Sequence, residues 1–338
     1  MPRFQCVLRS TIALMMMLAA IVPASAQMRQ AQKASGQPAA KPATAKPDAF
    51  AAPESILRWI NGYRTKPEPK RVPAAVRAMA QLGVFREPET SGIYLGFISG
   101  VLGANPSNAE PLIDAMFPMP PEDQPAIIKA IAYSGLPDWK ELLRKTAERM
   151  PARGVLIDRY LTEKLPALDA LALDSGPAPL DVLWGRYFAT GSYDPVLRIV
   201  SVLRWAKEGN NVERLTIGSM AKWTLATNAS RDMDLLRLLK GGVAHEPKDT
   251  AAILREVIEA AEIGDVSRIR RDALASIETL KLKGPQAGRQ MAWWGQAGQT
   301  ALALGCIVAS ALGQAQVGVP CVIGGALSGA AIKILTPQ

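Results

Sequence analysis

Two short motifs place a serine at spacings that some enzymes use. Ser219 precedes Lys222 by three residues, and on a helix the two side chains would share a face, so the lysine could help to deprotonate the serine. Serine enzymes built on this pair also need Ser-Asp-Asn and Lys-Thr-Gly segments, and the sequence contains neither. Between Gly96 and Gly100, Ser99 stands one place too late for a nucleophile elbow. We therefore predict no catalytic residue from these motifs.

Metal and cofactor chemistry has few candidate ligands in this chain. Its 338 residues include one histidine and three cysteines, too few for most zinc and haem sites. His245 lies just before Pro247 in a predicted turn, where we expect a solvated side chain. We predict no metal site and no cofactor. Carboxylates working as a general acid and base need no fixed spacing in the sequence, so an enzyme that acts on peptidoglycan or another glycan stays an alternative.

Tryptophan and arginine occur close together at three places in the sequence. Adjacent side chains on a helix point in different directions, so we expect each tryptophan in the core and its arginine in solvent. The alternative is an interface, where both residue types are common. The three places are Arg58-Trp59, Trp184 with Arg186 and Tyr187, and Arg204-Trp205.

The first 26 residues have the pattern of a secretory signal peptide. Arg3 and Arg9 precede an apolar run over residues 11–20, and a small-residue cleavage site follows at residues 24–26. The run is shorter than the roughly 20 residues that span a bilayer, so we expect cleavage before Gln27. The sequence thus predicts an exported protein, located in the bacterial periplasm, with membrane association as the alternative.

The positive charge is concentrated at the two ends of the chain. The formal net charge is +9, and loss of Arg3 and Arg9 with the signal peptide would leave +7. Residues 27–53 carry +3, residues 286–338 carry +2, and residues 54–285 carry only +2. A nucleic-acid-binding domain concentrates its basic residues on one folded face. This distribution and the predicted export both exclude nucleic acid as a partner.

The mature chain divides into three predicted segments. Residues 27–53 contain nine alanines and four prolines, a composition typical of an extended, flexible linker. Residues 54–285 have apolar residues at helical spacing and almost no alternating β-branched runs, which predicts an all-α domain. Residues 286–338 form an apolar segment without any acidic residue.

Helix starts in the all-α domain are marked by proline and aspartate. Pro106, Pro121 and Pro137 are 15 or 16 residues apart, and Asp194 marks a further start before a proline. Units of about 16 residues would pair into units of about 32, a length typical of helical repeats. We predict a helical-repeat, α-solenoid-like arrangement, with an irregular helical bundle as the alternative.

The last segment is predicted to form an apolar helical hairpin rich in small residues. Its arms, residues 297–312 and 317–332, carry small residues every four positions, which lets two helix backbones approach closely. Cys306 and Cys321 are the cysteines left after cleavage, and export favours a disulfide between them; two small buried thiols are the alternative. The hairpin either packs on the body or self-associates, or it contacts a membrane. The residues predicted for these contacts are Trp293, Trp294, Gly305, Ala309, Gly313, Gly325 and Gly329.

The sequence therefore favours a binding or scaffolding protein of the cell envelope over an enzyme. It predicts a protein partner of unknown identity and leaves open a membrane surface or a second copy of the chain as further partners. A protein that acts on membranes through its C-terminal hairpin is the remaining alternative.

Overall fold

A computed structural model describes residues 50–86 and 91–283 of the chain. The predicted signal peptide (1–26), the predicted linker up to residue 49, and the predicted hairpin (286–338) lie outside the described residues. The same holds for the residues predicted for a disulfide and for membrane contact or self-association, which are Cys306, Cys321, Trp293, Trp294, Gly305, Ala309, Gly313, Gly325 and Gly329.

The described chain is all-α, as the sequence predicts. It contains thirteen α-helices and eight short 3-10 helices, and no strand occurs in residues 50–86 or 91–283. The α-helices are α1 (Pro53–Tyr63), α2 (Val72–Gln81), α3 (Gly92–Ala104), α4 (Ala109–Asp114), α5 (Gln124–Ala132), α6 (Trp139–Thr146), α7 (Gly154–Thr162), α8 (Ala178–Thr190), α9 (Asp194–Ser201), α10 (Val212–Ala229), α11 (Met233–Gly242), α12 (Lys248–Ile263) and α13 (Val266–Lys283).

Proline and acidic residues set several of the helix starts. Pro106 begins a 3-10 turn that leads into α4, and α5 begins at Gln124, three residues after Pro121. α6 follows Asp138 directly, and α9 begins at Asp194 itself. Proline in the first turn loses no intrahelical hydrogen bond, and an acidic side chain there suits the helix dipole.

At the centre of the core, α3 and α8 are in backbone contact. A Cβ atom added to Gly96 would lie 1.9 Å from the carbonyl oxygen of Val182, and one added to Gly185 would lie 2.1 Å from the carbonyl oxygen of Ile93. Such distances are possible only because glycine has no side chain. The two helices therefore approach each other more closely than any other residue would allow at these positions.

The same contact shows that α3 and α8 run parallel. Gly92, at the start of α3, faces Asp181 in the first turn of α8, whereas Gly100, further along α3, faces Ala189 near the end of α8. Every residue of α3 from Gly92 to Leu102 is buried. The pair is thus fully enclosed by the surrounding helices, with α5 packed on α3 and α1 packed on α8.

The C-terminal half of the described chain is built around α10. Gly218 on α10 lies against the preceding 3-10 helix, where an added Cβ would be 2.2 Å from the backbone nitrogen of Ala206. Helices α12 and α13 pack along α10. Gly264, with a φ of +70°, ends α12.

Within the described residues, the first buried side chain, Phe50, belongs to the predicted linker segment 27–53. The ring of Phe50 is 8% exposed and packs edge-on against Trp59, with 5.0 Å between ring centroids. The guanidinium of Arg71 lies 5.2 Å from the Phe50 ring centroid. Glu68 accepts hydrogen bonds from Arg71 Nη1 at 2.7 Å and from Trp59 Nε1 at 3.3 Å. The aromatic contacts of the folded body therefore start at Phe50.

Candidate functional site

Three residues that are distant in the sequence form a charged and aromatic cluster at the edge of the core. Arg64 forms an ion pair with Asp232, and the guanidinium lies 5.3 Å from the centroid of the Tyr187 ring. The Tyr187 hydroxyl donates a hydrogen bond of 2.5 Å to Asp232 Oδ2. We call Arg64, Tyr187 and Asp232 the Arg64 cluster.

Three helix ends position the Arg64 cluster. Arg64 directly follows α1, and Tyr187 lies in the last turn of α8. Asp232 is the N-cap of α11, where its Oδ1 accepts hydrogen bonds from the backbone nitrogens of Asp234 and Leu235, both at 3.1 Å. Asp232 Oδ1 thus caps α11, and Asp232 Oδ2 joins α11 to α1 and α8.

The surroundings keep the Tyr187 phenol protonated. Burial raises the pKa of Tyr187, and the hydrogen bond to Asp232 raises it further, while Arg64 opposes the rise. A neutral phenol is a hydrogen-bond donor, which agrees with its contact to the carboxylate. The cluster therefore holds one positive and one negative charge, and both side chains are partly exposed, at 19% for Arg64 and 15% for Asp232.

Three exposed apolar side chains lie near members of the Arg64 cluster along the chain, and one of them stacks on Tyr187. The ring of Tyr193 stacks on Tyr187 at 6.5 Å and is 39% exposed. Leu197, one turn further along α9, is 47% exposed, and Met233, which directly follows Asp232, is 59% exposed. These three side chains, together with the Arg64 cluster, are called the Tyr193 surface below.

Lys222, three residues after Ser219, is paired with a carboxylate. Both lie on α10, but Lys222 forms an ion pair with Glu256 on α12, and Glu256 also contacts Lys207 at 3.3 Å. Burial raises the pKa of Glu256, but the hydrogen bonds and charges of the two lysines outweigh it and leave the pKa lowered. Lys222 and Glu256 therefore form a contact that joins α10 to α12.

Ser99 and His245 also have structural surroundings. Ser99 lies in the middle of α3, fully buried, and its hydroxyl donates to the Gly96 carbonyl oxygen at 2.9 Å. His245 is exposed in a 3-10 turn, with Nδ1 3.3 Å from the carbonyl oxygen of Gly241.

The expectation for the arginines next to tryptophan is wrong at one of three places. Arg58 and Arg204 are exposed, as expected. Arg186 is half-buried instead, and its Nη1 donates to the carbonyl oxygens of Ser134 at 2.9 Å and of Ser99 at 3.3 Å. It joins α8 to the middle of α3 and to the backbone just beyond the C-terminal end of α5.

The tryptophans differ in burial, and their stacking partners are not their sequence neighbours. Trp184 is fully buried, as expected for a core residue, while Trp59 and Trp205 are half-buried. Arg71 lies 5.8 Å from the Trp59 ring centroid, and Arg214 lies 5.2 Å from that of Trp205. These cation–π pairs stabilise the two partly exposed rings.

Two carboxylates are deeply buried, and they differ in their partners. Asp123 is fully buried and accepts two hydrogen bonds from Arg86, from Nε and Nη2, both at 3.0 Å. Asp181 is 3% exposed, and its Oδ2 has no hydrogen-bond partner in the described chain. Within residues 50–86 and 91–283, no group of three or more His, Cys, Asp or Glu side chains could hold a metal ion.

Sequence reasoning missed the Arg64 cluster and the Tyr193 surface. The signals that were present are local: Asp194 marks the start of α9 next to Tyr193, and Asp232 has the residue type and position of a helix cap. Neither signal says which distant residues meet there.

The comparisons with protein-family models, with curated proteins and with solved structures found no match to the chain. In the part of the chain that the structure describes, no helix has both the length and the apolar composition that a membrane crossing requires.

Proposed function

We propose that the chain is an exported protein of the cell envelope that binds another protein through the Tyr193 surface. The observation that carries the proposal is the composition of that surface. Tyrosine and arginine contribute strongly to binding when they lie at the centre of an interface, and methionine adapts to differently shaped partners. Here Tyr193, Leu197 and Met233 leave substantial apolar area exposed around a fixed charged cluster.

The Arg64 cluster supports this proposal because it is organised before any partner binds. Arg64 and Asp232 form an ion pair, and the Tyr187 hydroxyl donates a hydrogen bond to the same carboxylate. A partner would therefore lose less side-chain entropy on binding than it would against free long side chains. The stacking of Tyr193 on Tyr187 fixes one exposed ring in the same way.

The export part of the proposal rests on the sequence of residues 1–26 alone. Two arginines, a short apolar run and a small-residue cleavage site are the elements of a secretory signal. A binding protein delivered in this way would meet its partner outside the cytoplasm, and we propose the periplasm.

We also propose that the body is a helical repeat that became irregular. Short connections join consecutive helices into pairs, namely α3–α4, α5–α6, α8–α9, α10–α11 and α12–α13.

A photocrosslinking amino acid placed at position 193 tests the proposed function. With the full chain expressed in its own cells, we expect one discrete crosslinked adduct from position 193. Val155 on α7, which is 88% exposed, is the matched control position and should give no adduct of that size. The further substitution Met233→Glu should reduce the adduct from position 193 at least tenfold while the circular dichroism spectrum stays unchanged.

Three outcomes would overturn the proposal. They are equal crosslinking from positions 193 and 155, no adduct from either position, and an adduct that Met233→Glu leaves unchanged. Release of soluble sugar fragments from purified peptidoglycan by the pure protein would replace binding with the enzymatic alternative.

A further inference from the structure

The carboxyl group of Asp181 is buried where the two central helices approach each other. A Cβ atom added to Gly92 would lie 2.9 Å from both Asp181 Cβ and the Ala178 carbonyl oxygen, so the two chains are in direct contact there. Asp181 is 3% exposed, and its Oδ2 makes no hydrogen bond in the described chain. An ionised carboxylate in such surroundings is costly unless it is paired.

Among the described residues, no charged group offsets the effect of burial on Asp181. Burial raises the pKa of Asp181 well above its ordinary value. α3 contains no charged residue. The charged and titratable groups on α3 and on the other described elements packed on α8 are Glu54, Arg58, Tyr63, Tyr94, Asp174, Asp194 and Arg198.

We propose that the contact between α3 and α8 is proton-linked: Asp181 keeps its proton while the helices are in contact, and release of that proton to solvent loosens the contact. The consequence follows from linkage. An aspartate in an unfolded chain has a pKa of about 3.9. A group that binds its proton more tightly in the folded state stabilises that state most below the unfolded pKa, and the stabilisation is lost as the pH rises towards the folded pKa.

Urea unfolding of the full chain at several pH values between 4.5 and 8 tests the proposal. Asp181→Asn keeps the shape of the side chain and removes its titration. We expect the ratio of the wild-type unfolding constant to that of Asp181→Asn to rise by up to about tenfold for each pH unit until the folded pKa is passed. Asp158→Asn, the same change on the exposed face of α7, is the control and should keep the steep dependence of the wild type. Parallel pH dependences of wild type and Asp181→Asn would overturn the proposal.

Hydrogen exchange on the unmodified chain gives a second measurement that does not depend on the variant folding. After correction for the intrinsic effect of pH on exchange, amides of α3 between Gly96 and Val101 should lose protection between pH 5 and pH 8. Amides of α12 between Ile253 and Val257 are the internal reference and should lose less. An unchanged ratio of protection between the two helices would contradict a proton-linked contact.

Discussion

Replacing Gly96 with alanine should separate the two central helices. The added Cβ would lie 1.9 Å from the Val182 carbonyl oxygen, 2.7 Å from its carbonyl carbon and 2.9 Å from its Cα. All three are backbone atoms, so no side-chain rotation can relieve the overlap. Favourable contacts begin at about 3.5 Å, so α8 would have to move away by roughly 1.5 Å.

The expected cost combines two opposing effects. Overpacking a close-packed core typically costs about 1–3 kcal/mol, and more when the backbone must move. Alanine in place of glycine inside a helix recovers about 1 kcal/mol. Since α3 is buried from Gly92 to Leu102, a shift of α8 also disturbs its contacts with α1. With the cost at the upper end of that range and about 1 kcal/mol recovered, we expect a net loss of about 2 kcal/mol in the free energy of unfolding.

Chemical unfolding followed by tryptophan fluorescence measures this loss directly. Gly62→Ala is the matched control, because Gly62 also lies in a helix but an added Cβ would meet no atom within 4 Å. That variant should be unchanged or more stable by up to about 1 kcal/mol. A loss below about 1 kcal/mol in Gly96→Ala, or equal effects of the two substitutions, would refute the close contact of α3 with α8.

Three further predictions concern single contacts. Tyr187→Phe keeps the buried ring but removes a hydrogen bond to a carboxylate, and should lower the free energy of unfolding by about 1–3 kcal/mol in a urea titration. Glu256→Gln should lower the free energy of unfolding by less than about 1 kcal/mol at neutral pH, because the ion pair of Glu256 with Lys222 is partly exposed. The pKa of Glu256 is lowered in the folded state, so this stabilisation should be present above pH of about 4.3 and be lost as the pH falls further, until the variant and the wild type converge. Exported protein should show no free thiol on alkylation and mass measurement without reductant if Cys306 and Cys321 are bonded, and two free thiols would contradict that prediction.

Local signals in the sequence predicted the fold class and many helix boundaries. Proline at Pro121 and Pro137 and the acidic residue Asp194 act within one helical turn of the ends they mark. Such signals depend on backbone chemistry next to the residue, so they can be read without knowing the rest of the fold. The near absence of alternating β-branched runs is also a property of short sequence segments, so it too can be recognised without knowing the rest of the fold.

The glycine contact in the core was within reach of the sequence. Small residues every four positions predicted close helix approach in residues 286–338, and Gly92, Gly96 and Gly100 have the same spacing. Gly185 and Ala189 on α8 have this spacing as well, but the spacing alone does not say which two helices meet.

The Arg64 cluster could not be predicted for a related reason. Its three residues, Arg64, Tyr187 and Asp232, come from separate parts of the chain. No local sequence pattern around any of them predicts contact with the other two. Arg186 shows the same limit, since its acceptors on Ser99 and Ser134 are backbone carbonyls, which every residue carries.

The glycine contact also bears on the order in which the chain can fold. Gly96 and Gly185 are about 90 residues apart, whereas most helix pairs are joined by connections of a few residues. Contacts between distant residues form late because a long loop must close first. The paired helices can therefore form early, but the contact between α3 and α8 forms only once α8 is available. Until then α1 and α5 can pack on α3, but the face that carries Gly92, Gly96 and Gly100 is not yet covered by α8. This uncovered face is the part of the core most exposed to non-native association during that interval.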